Sequence, residues 1–208
     1  MNVTLLVTLM NLGVLISGRG SNLQAIIDAA EKGEIHSQVA VVISNDPEAY
    51  GLERAKKHNI PAVVIDNRKF KDKNTYELEI IKVLEQHNVD LVCLAGYMRI
   101  VGPVLLERYQ GKMINIHPSL LPAFPGLHAQ KQALDHGVLI TGCTVHFVDT
   151  GCDTGPIIIQ SAVPIHENDD EETLSERILQ QEHIIYPQAI RLIADGKLKI
   201  EGRKVKLK

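Results

Sequence analysis

Asn115 and His117 are the pair of residues with the most chemistry to offer. They lie in the run Met113-Ile114-Asn115-Ile116-His117-Pro118. If 113–116 is a strand, the two-residue alternation puts Asn115 and His117 on one face. Pro118 then ends the ladder, because it has no N–H to give. An amide and an imidazole would emerge together at the carboxyl end of a strand, where open parallel sheets bind ligands. Such a pair can meet the oxyanion that develops at an acyl carbon, the imidazole doing so when protonated. No Ser–His–Asp set with a nucleophile elbow is visible, so a covalent acyl-enzyme is not indicated. A His117 that merely caps a loop is the plainer alternative.

Two further segments bear on that chemistry. Asp149-Thr150-Gly151-Cys152-Asp153-Thr154-Gly155-Pro156 is an acidic loop with two glycines. A carboxylate in it facing His117 would stabilise the imidazolium. An ordinary polar turn accounts for the same residues. Ser17-Gly18-Arg19-Gly20-Ser21-Asn22 joins a strand-like run to a helix-like one. Free N–H groups at a helix start attract anions, and Ser21 or Asn22 could cap the helix or donate to a phosphate. Leu23 stands where a dinucleotide fingerprint wants its third glycine, and no P-loop lysine follows. A phosphate seat and a tight capped turn are both compatible with these residues.

The elements that must position these groups alternate along the chain. Strand-like runs are expected at 13–17, 39–44, 61–65, 91–95 and 113–116, and helical spacing at 23–31, 50–58 and 74–87. Near-continuous apolar strands separated by helices predict an α/β fold, with a mainly parallel twisted sheet flanked by helices. Crossovers should be right-handed. After 116 the texture changes, with prolines at 118, 122 and 125. Two later strands are expected at 141–148 and 156–165, the first alternating as a half-exposed or edge strand would. The acidic run at 169–172 suits the first turn of a helix reaching about Ala194, which Pro187 kinks or ends. A small hairpin closes the chain around Glu201-Gly202. With no repeat and no linker, residues 10–208 read as one domain with two halves. Residues 1–9 read as an extension upstream of the functional start.

The 208 residues carry a formal net charge of −3 and no long basic stretch, which disfavours a nucleic-acid partner. The apolar start is too short to span a membrane. Three cysteines at spacings that match no zinc or redox pattern suit a reducing cytoplasm. Nine histidines are present, yet none pairs with another at helical ligand spacing beside a carboxylate, so no metal site is expected. A homodimer is allowed by the sequence and not required by it.

Several long motifs, in order, resemble the phosphoribosylglycinamide formyltransferases, the folate-dependent formyl-transferring enzymes of purine synthesis. They are residues 16–23, Leu94-Ala95-Gly96-Tyr97-Met98-Arg99-Ile100, 115–122, Phe124-Pro125-Gly126-Leu127-His128, Thr144-Val145-His146-Phe147-Val148, 153–156, Gln181-Glu182-His183 and Tyr186-Pro187. The resemblance runs from Met10 to about Leu198. It implies a Rossmann-like formyltransferase core, with 10-formyltetrahydrofolate as co-substrate and glycinamide ribonucleotide as acceptor. It further implies that Asn115 and His117 polarise the formyl carbonyl and that Asp153 pairs with His117. Gly20, Ser21 and Asn22 would hold the substrate phosphate, with Glu182 on the ribonucleotide. Met98, Arg99, Ile100 and Val101, with Asp149, Thr150, Gly151, Cys152, Asp153 and Asn115, would line the folate pocket. Lys73 falls where relatives can carry an Arg near the folate, and lacks its planar fork. A formyltetrahydrofolate hydrolase needs no phosphate cradle and usually bears a regulatory domain. A methionyl-tRNA formyltransferase adds a carboxyl-terminal RNA-binding domain. A non-catalytic Rossmann-like nucleotide-binding module would leave Asn115, His117 and Asp153 without purpose. Formyl transfer is therefore the expected function.

Overall fold

The computed structural model describes residues 9–208. The extension expected over Met1–Leu9 lies outside the described residues, apart from Leu9. Among the described residues, nine strands make one sheet: β1 (Met10–Ile16), β2 (Ser37–Ser44), β3 (Ala62–Val64), β4 (Leu91–Leu94), β5 (Met113–His117), β6 (Ile140–Phe147), β7 (Ile157–Pro164), β8 (Leu198–Glu201) and β9 (Lys204–Leu207). Their order is β3-β2-β1-β4-β5-β6-β7-β9-β8. The first five are parallel, and β6 runs antiparallel to both β5 and β7. The helices are α1 (Ser21–Glu31), α2 (Tyr50–Lys57), α3 (Lys73–Gln86), α4 (Pro103–Arg108), α5 (Ala129–His136) and α6 (Glu171–Ala194).

The apolar runs of the central strands follow from covering both faces. Val14, Ile16 and Cys93 face one way and pack with α1 and α6 through Leu23, Ile26, Ile27, Ile185 and Ile190. Leu15, Val92 and Leu94 face the other way and pack with α3 through Ile80 and Leu84. Strand order reverses between β1 and β4. The turn after β1 and the loop after β4 therefore flank the crevice where doubly wound sheets seat ligands.

Two expectations need correction. β6 is neither half-exposed nor at an edge: from Thr141 to Phe147 it is buried between β5 and β7. Its apolar residues Cys143, Val145 and Phe147 join the α6-side core. Its polar residues face a floor covered by loops instead of water. Thr144 Oγ1 donates to Ser119 O at 2.7 Å and accepts from Leu121 N at 3.1 Å. Pro187 lies inside α6 and does not end it. Short α4 and α5 were hidden from sequence, having too few turns for a periodic apolar face. At the start of α6, Asp170 and Thr173 form a reciprocal cap ahead of the acidic first turn.

Candidate active site

β5 delivers Asn115 and His117 to one side of the sheet, and a loop distant in sequence brings Asp153 to both. Asp153 Oδ2 lies 3.3 Å from His117 Nδ1, and its Oδ1 lies 3.4 Å from Asn115 Nδ2. Asp153 itself sits in the left-handed region at φ 55°, a conformation that costs a non-glycine residue some strain. The 148–156 loop is pinned locally: Asp149 Oδ1 accepts from Thr154 Oγ1 at 2.6 Å and from Gly151 N at 3.1 Å. The Asp149 carboxylate is thus spent inside its own loop, and Asp153 is the acid that reaches the imidazole. Thr150, Gly151 and Cys152 stand on the exposed rim of that loop.

His117 is buried, and both of its ring nitrogens face acceptors. Nε2 lies 2.9 Å from Phe124 O, on the side opposite Asp153. Burial pushes the His117 pKa below that of an ordinary imidazole, against upward pulls from the Phe124 carbonyl and the Asp153 charge. The Asp153 charge favours the imidazolium, as expected of a carboxylate facing the ring, and desolvation outweighs that pull. For Asp153 burial works upward, yet His146, Gly126 N–H and the charge of His117 outweigh it and hold the carboxyl far below the usual range. The geometry and the solvation pull against each other. Only a doubly protonated ring satisfies both acceptors, while burial resists that charge. An imidazolium so placed is a stronger acid than one in water.

A fourth side chain, His146 on β6, went unassigned in sequence. The antiparallel register sets it opposite Asn115. Its Nδ1 lies 2.9 Å from Phe147 O, and its Nε2 lies 3.3 Å from Asn115 Nδ2. His146 also approaches Asp153 Oδ1 at 3.6 Å. Period-two reading of β6 places His146 and Thr144 on one face, the signal that would have found it.

The glycine turn lies across the switch point. Gly20 is the N-cap of α1 at φ 67°, and no side chain caps the helix. The capping role considered for Ser21 or Asn22 is therefore corrected. Asn22 instead turns its Nδ2 to Glu182 Oε2 at 2.7 Å, across to α6. Both residues are buried, and Asn22 Oδ1 has no partner. Burial pushes the Glu182 carboxyl above its usual range, with the Asn22 bond opposing. The pair is a buried polar contact between α1 and α6.

The loop after β4 completes the crevice. Ser17 N donates to Gly96 O, and Met98 N to Ser17 Oγ at 2.8 Å, tying this loop to the glycine turn. Met98 and Ile100 are 67% and 75% exposed, an unusual display of apolar surface beside a polar cluster. Val101 and Tyr97 pack with Val148, at the base of the Asp153 loop, against the α3-side core. Arg99 acts electrostatically on Tyr76 and Tyr97, whose hydroxyls meet at 2.7 Å. Lys73 opens α3 beside Gly102 and Glu77, at the far end of this loop. The buried Glu77 accepts from Gly102 N, and from Leu105 N at 3.1 Å, so it caps α4 and anchors the loop from below. Hydrogen bonds to a charged group are worth about 1.5–3 kcal/mol each. Glu77→Ala should therefore lower unfolding free energy by roughly 2–4 kcal/mol in urea titrations, with α4 amides exchanging first. A change under about 0.5 kcal/mol would show the carboxylate to be dispensable.

Among the described residues, no group of three or more His, Cys, Asp or Glu could hold a metal ion. All three cysteines are free, and burial pushes the Cys143 thiol up to about 12. No helix among the described residues is long and apolar enough to cross a membrane. The model of the formyl transferase family matches residues 10–190. The chain belongs to the formyl transferase family. It is 46% identical to the phosphoribosylglycinamide formyltransferase of Escherichia coli (strain K12), over 92% of this chain and 90% of that one. It is 50% identical to the trifunctional purine biosynthetic protein adenosine-3 of Drosophila pseudoobscura pseudoobscura over 89% of this chain, which spans only 14% of that relative's length. The crystal structure of glycinamide ribonucleotide transformylase 1 from Symbiobacterium toebii superposes with a TM-score of 0.97 at 52% identity, covering 100% of this chain and 98% of that one. In this formyl transferase the parallel half of the sheet supplies the glycine turn, and the β5–β6 pair supplies the amide and both imidazoles.

Proposed function

We propose that this formyl transferase moves a formyl group from 10-formyltetrahydrofolate to the amine of N1-(5-phospho-D-ribosyl)glycinamide in de novo purine synthesis, in the cytoplasm. The products are the formylglycinamide ribonucleotide and tetrahydrofolate. The observation that carries this reading is the convergence of Asp153, from a loop distant in sequence, with Asn115 and His117 of β5. The acceptor amine attacks the formyl carbon, and the carbonyl oxygen gathers negative charge. Asn115 Nδ2 and His117 Nδ1 are the donors available to it, because each is held only loosely by Asp153 in the free protein. His117 Nε2, at 2.9 Å from Phe124 O, anchors the ring and stays out of the reaction. When the C–N10 bond breaks, N10 takes a proton and the former amine gives one up. Asp153 is placed to help a water collect the latter while its charge favours the imidazolium. The turn 17–22 with Asn22 and Glu182 takes the phosphorylated sugar, and residues 98–101 with 149–153 take the folate. Lys73, at the far end of the 95–102 loop, faces the folate as well.

A hydrolase would share the formyl site but have no use for the glycine turn or the buried Asn22–Glu182 pair. Incubation with both substrates, following release of deformylated folate, tests the reading. Turnover should require the amine as well as the folate. Folate consumption at the same rate without the amine would assign hydrolysis instead.

A further inference from the structure

We infer that α2 sets the aim of the phosphate seat, with Gly51 and Arg54 as its positioning residues. The inference rests on the reading above, in which the glycine turn receives the phosphate. Two successive carbonyls of that turn are tied to α2, one to Gly51 in its first turn and one to Arg54 a turn later. Gly51 N donates to Gly18 O at 3.0 Å, and Arg54 Nε donates to Arg19 O at 2.9 Å. A trans peptide is planar, with its C=O and N–H on opposite edges. Fixing the Gly18 carbonyl toward α2 therefore turns the Arg19 N–H away from it. Fixing the Arg19 carbonyl does the same for the Gly20 N–H. Neither N–H has an acceptor among the described residues. The first helical bond of α1 is Gln24 N to Gly20 O, so the N–H groups before it are free as well. With Gly20 left-handed, consecutive N–H groups gather into a concavity of the kind that binds phosphate. The unpartnered, nine-tenths buried Asn22 Oδ1 at the same turn is an independent sign that a ligand completes this place.

Arg54 is itself held in place. Its Nη1 donates to Gln24 Oε1 at 3.2 Å, and its guanidinium stacks on the Tyr50 ring at 5.0 Å. Gln24 is anchored in turn by Asp28 at 2.8 Å. The planar fork thus bridges the turn to α1, which a lysine cannot do. Gly51 has the complementary steric part. A Cβ on Gly20 would come within 2.7 Å of Gly51 Cα, and a Cβ on Gly51 would strike Ile16 Cδ1 and press on Gly20. The close approach of the two backbones is what lets α2 reach the turn's carbonyls.

The test is the ratio of kcat/KM for glycinamide ribonucleotide to that for glycinamide riboside, its dephosphorylated form, with 10-formyltetrahydrofolate as donor. The wild-type ratio should be large. Arg54→Met and Gly51→Ala should each lower it about tenfold through KM of the ribonucleotide, about 1.4 kcal/mol of phosphate discrimination. Folic acid affinity, read by fluorescence titration, should stay within about twofold and report that the fold is intact. Arg54→Lys should fail like Arg54→Met. Full recovery in the lysine variant would overturn the inference, since it would mean that Arg54 acts as a bare charge. An unchanged ratio in both Arg54→Met and Gly51→Ala, with a large ratio in the wild type, would overturn it while leaving the phosphate seat intact. A wild-type ratio near one would instead sink the seat itself. Gly51→Ala carries the test alone if Arg54→Met fails to fold, because it changes no charge.

Discussion

His117→Ala should lower kcat by a factor of roughly 10²–10³ while binding of the ribonucleotide persists. Removing one donor of a preorganised oxyanion site costs about 2.7–4 kcal/mol of transition-state stabilisation. Here the donor is buried, anchored at Nε2 by Phe124 O and faced at Nδ1 by Asp153, so little reorganisation is needed at the moment of reaction. Alanine also leaves the Phe124 carbonyl and an Asp153 carboxylate without their partner. Some loss of stability will accompany the loss of rate. The phosphate contact lies across the switch point on other elements, so affinity for glycinamide ribonucleotide should change less than threefold. Pre-steady-state measurement of formyl transfer, together with ribonucleotide binding by calorimetry, separates the two effects. A transfer rate within fivefold of wild type would remove His117 from the chemistry.

The sequence carried the parallel half of the fold well because each strand there is buried on both faces. A doubly covered strand such as Leu12 to Ile16 can only be apolar, and the helices between are long enough to show their period. Asn115 and His117 were legible for a local reason, since spacing along one strand fixes which side chains share a face. Asp153 came as one of two candidate acids, and only the fold decides between them: Asp149 is consumed by Thr154 and Gly151. β6 was misread because alternation was taken to mean water on the polar side. Thr144 and His146 face a floor of loops, and burial of a polar face is decided by chain segments that periodicity does not report. His146 was lost with that misreading. The Asn22–Glu182 contact spans 160 positions in sequence and leaves no local trace. Glu77 beneath Gly102 is another contact of this kind, a buried acid whose partners are backbone N–H groups.

Asp153→Asn should cost one to two orders of magnitude in kcat and lower the His117 pKa. The sign follows from the charges. Asp153 raises the His117 pKa, so a neutral amide at 153 lets burial push the ring further down. Less imidazolium is then present at neutral pH, and the group that would draw the amine's proton away is gone. Asparagine can still accept from Gly126 N, now at 2.8 Å, so the loop should keep its place and the loss should lie in charge. The same substitution changes how stability depends on pH. The depressed Asp153 carboxyl contributes stability that is complete above about pH 3.9, its unfolded value, and that drains as pH falls through the folded value. The depressed His117 makes the folded form resist a proton that the unfolded chain accepts below about pH 6.5, so its contribution also weakens on acidification. In Asp153→Asn the first contribution disappears and the second begins at the same pH but reaches lower. Unfolding midpoints should therefore fall less between about pH 4 and 2 than in the wild type. Histidine Cε1–H shifts followed by NMR give the decisive reading, because a His117 titration unmoved by the substitution would mean that this carboxylate does not govern the imidazole's charge.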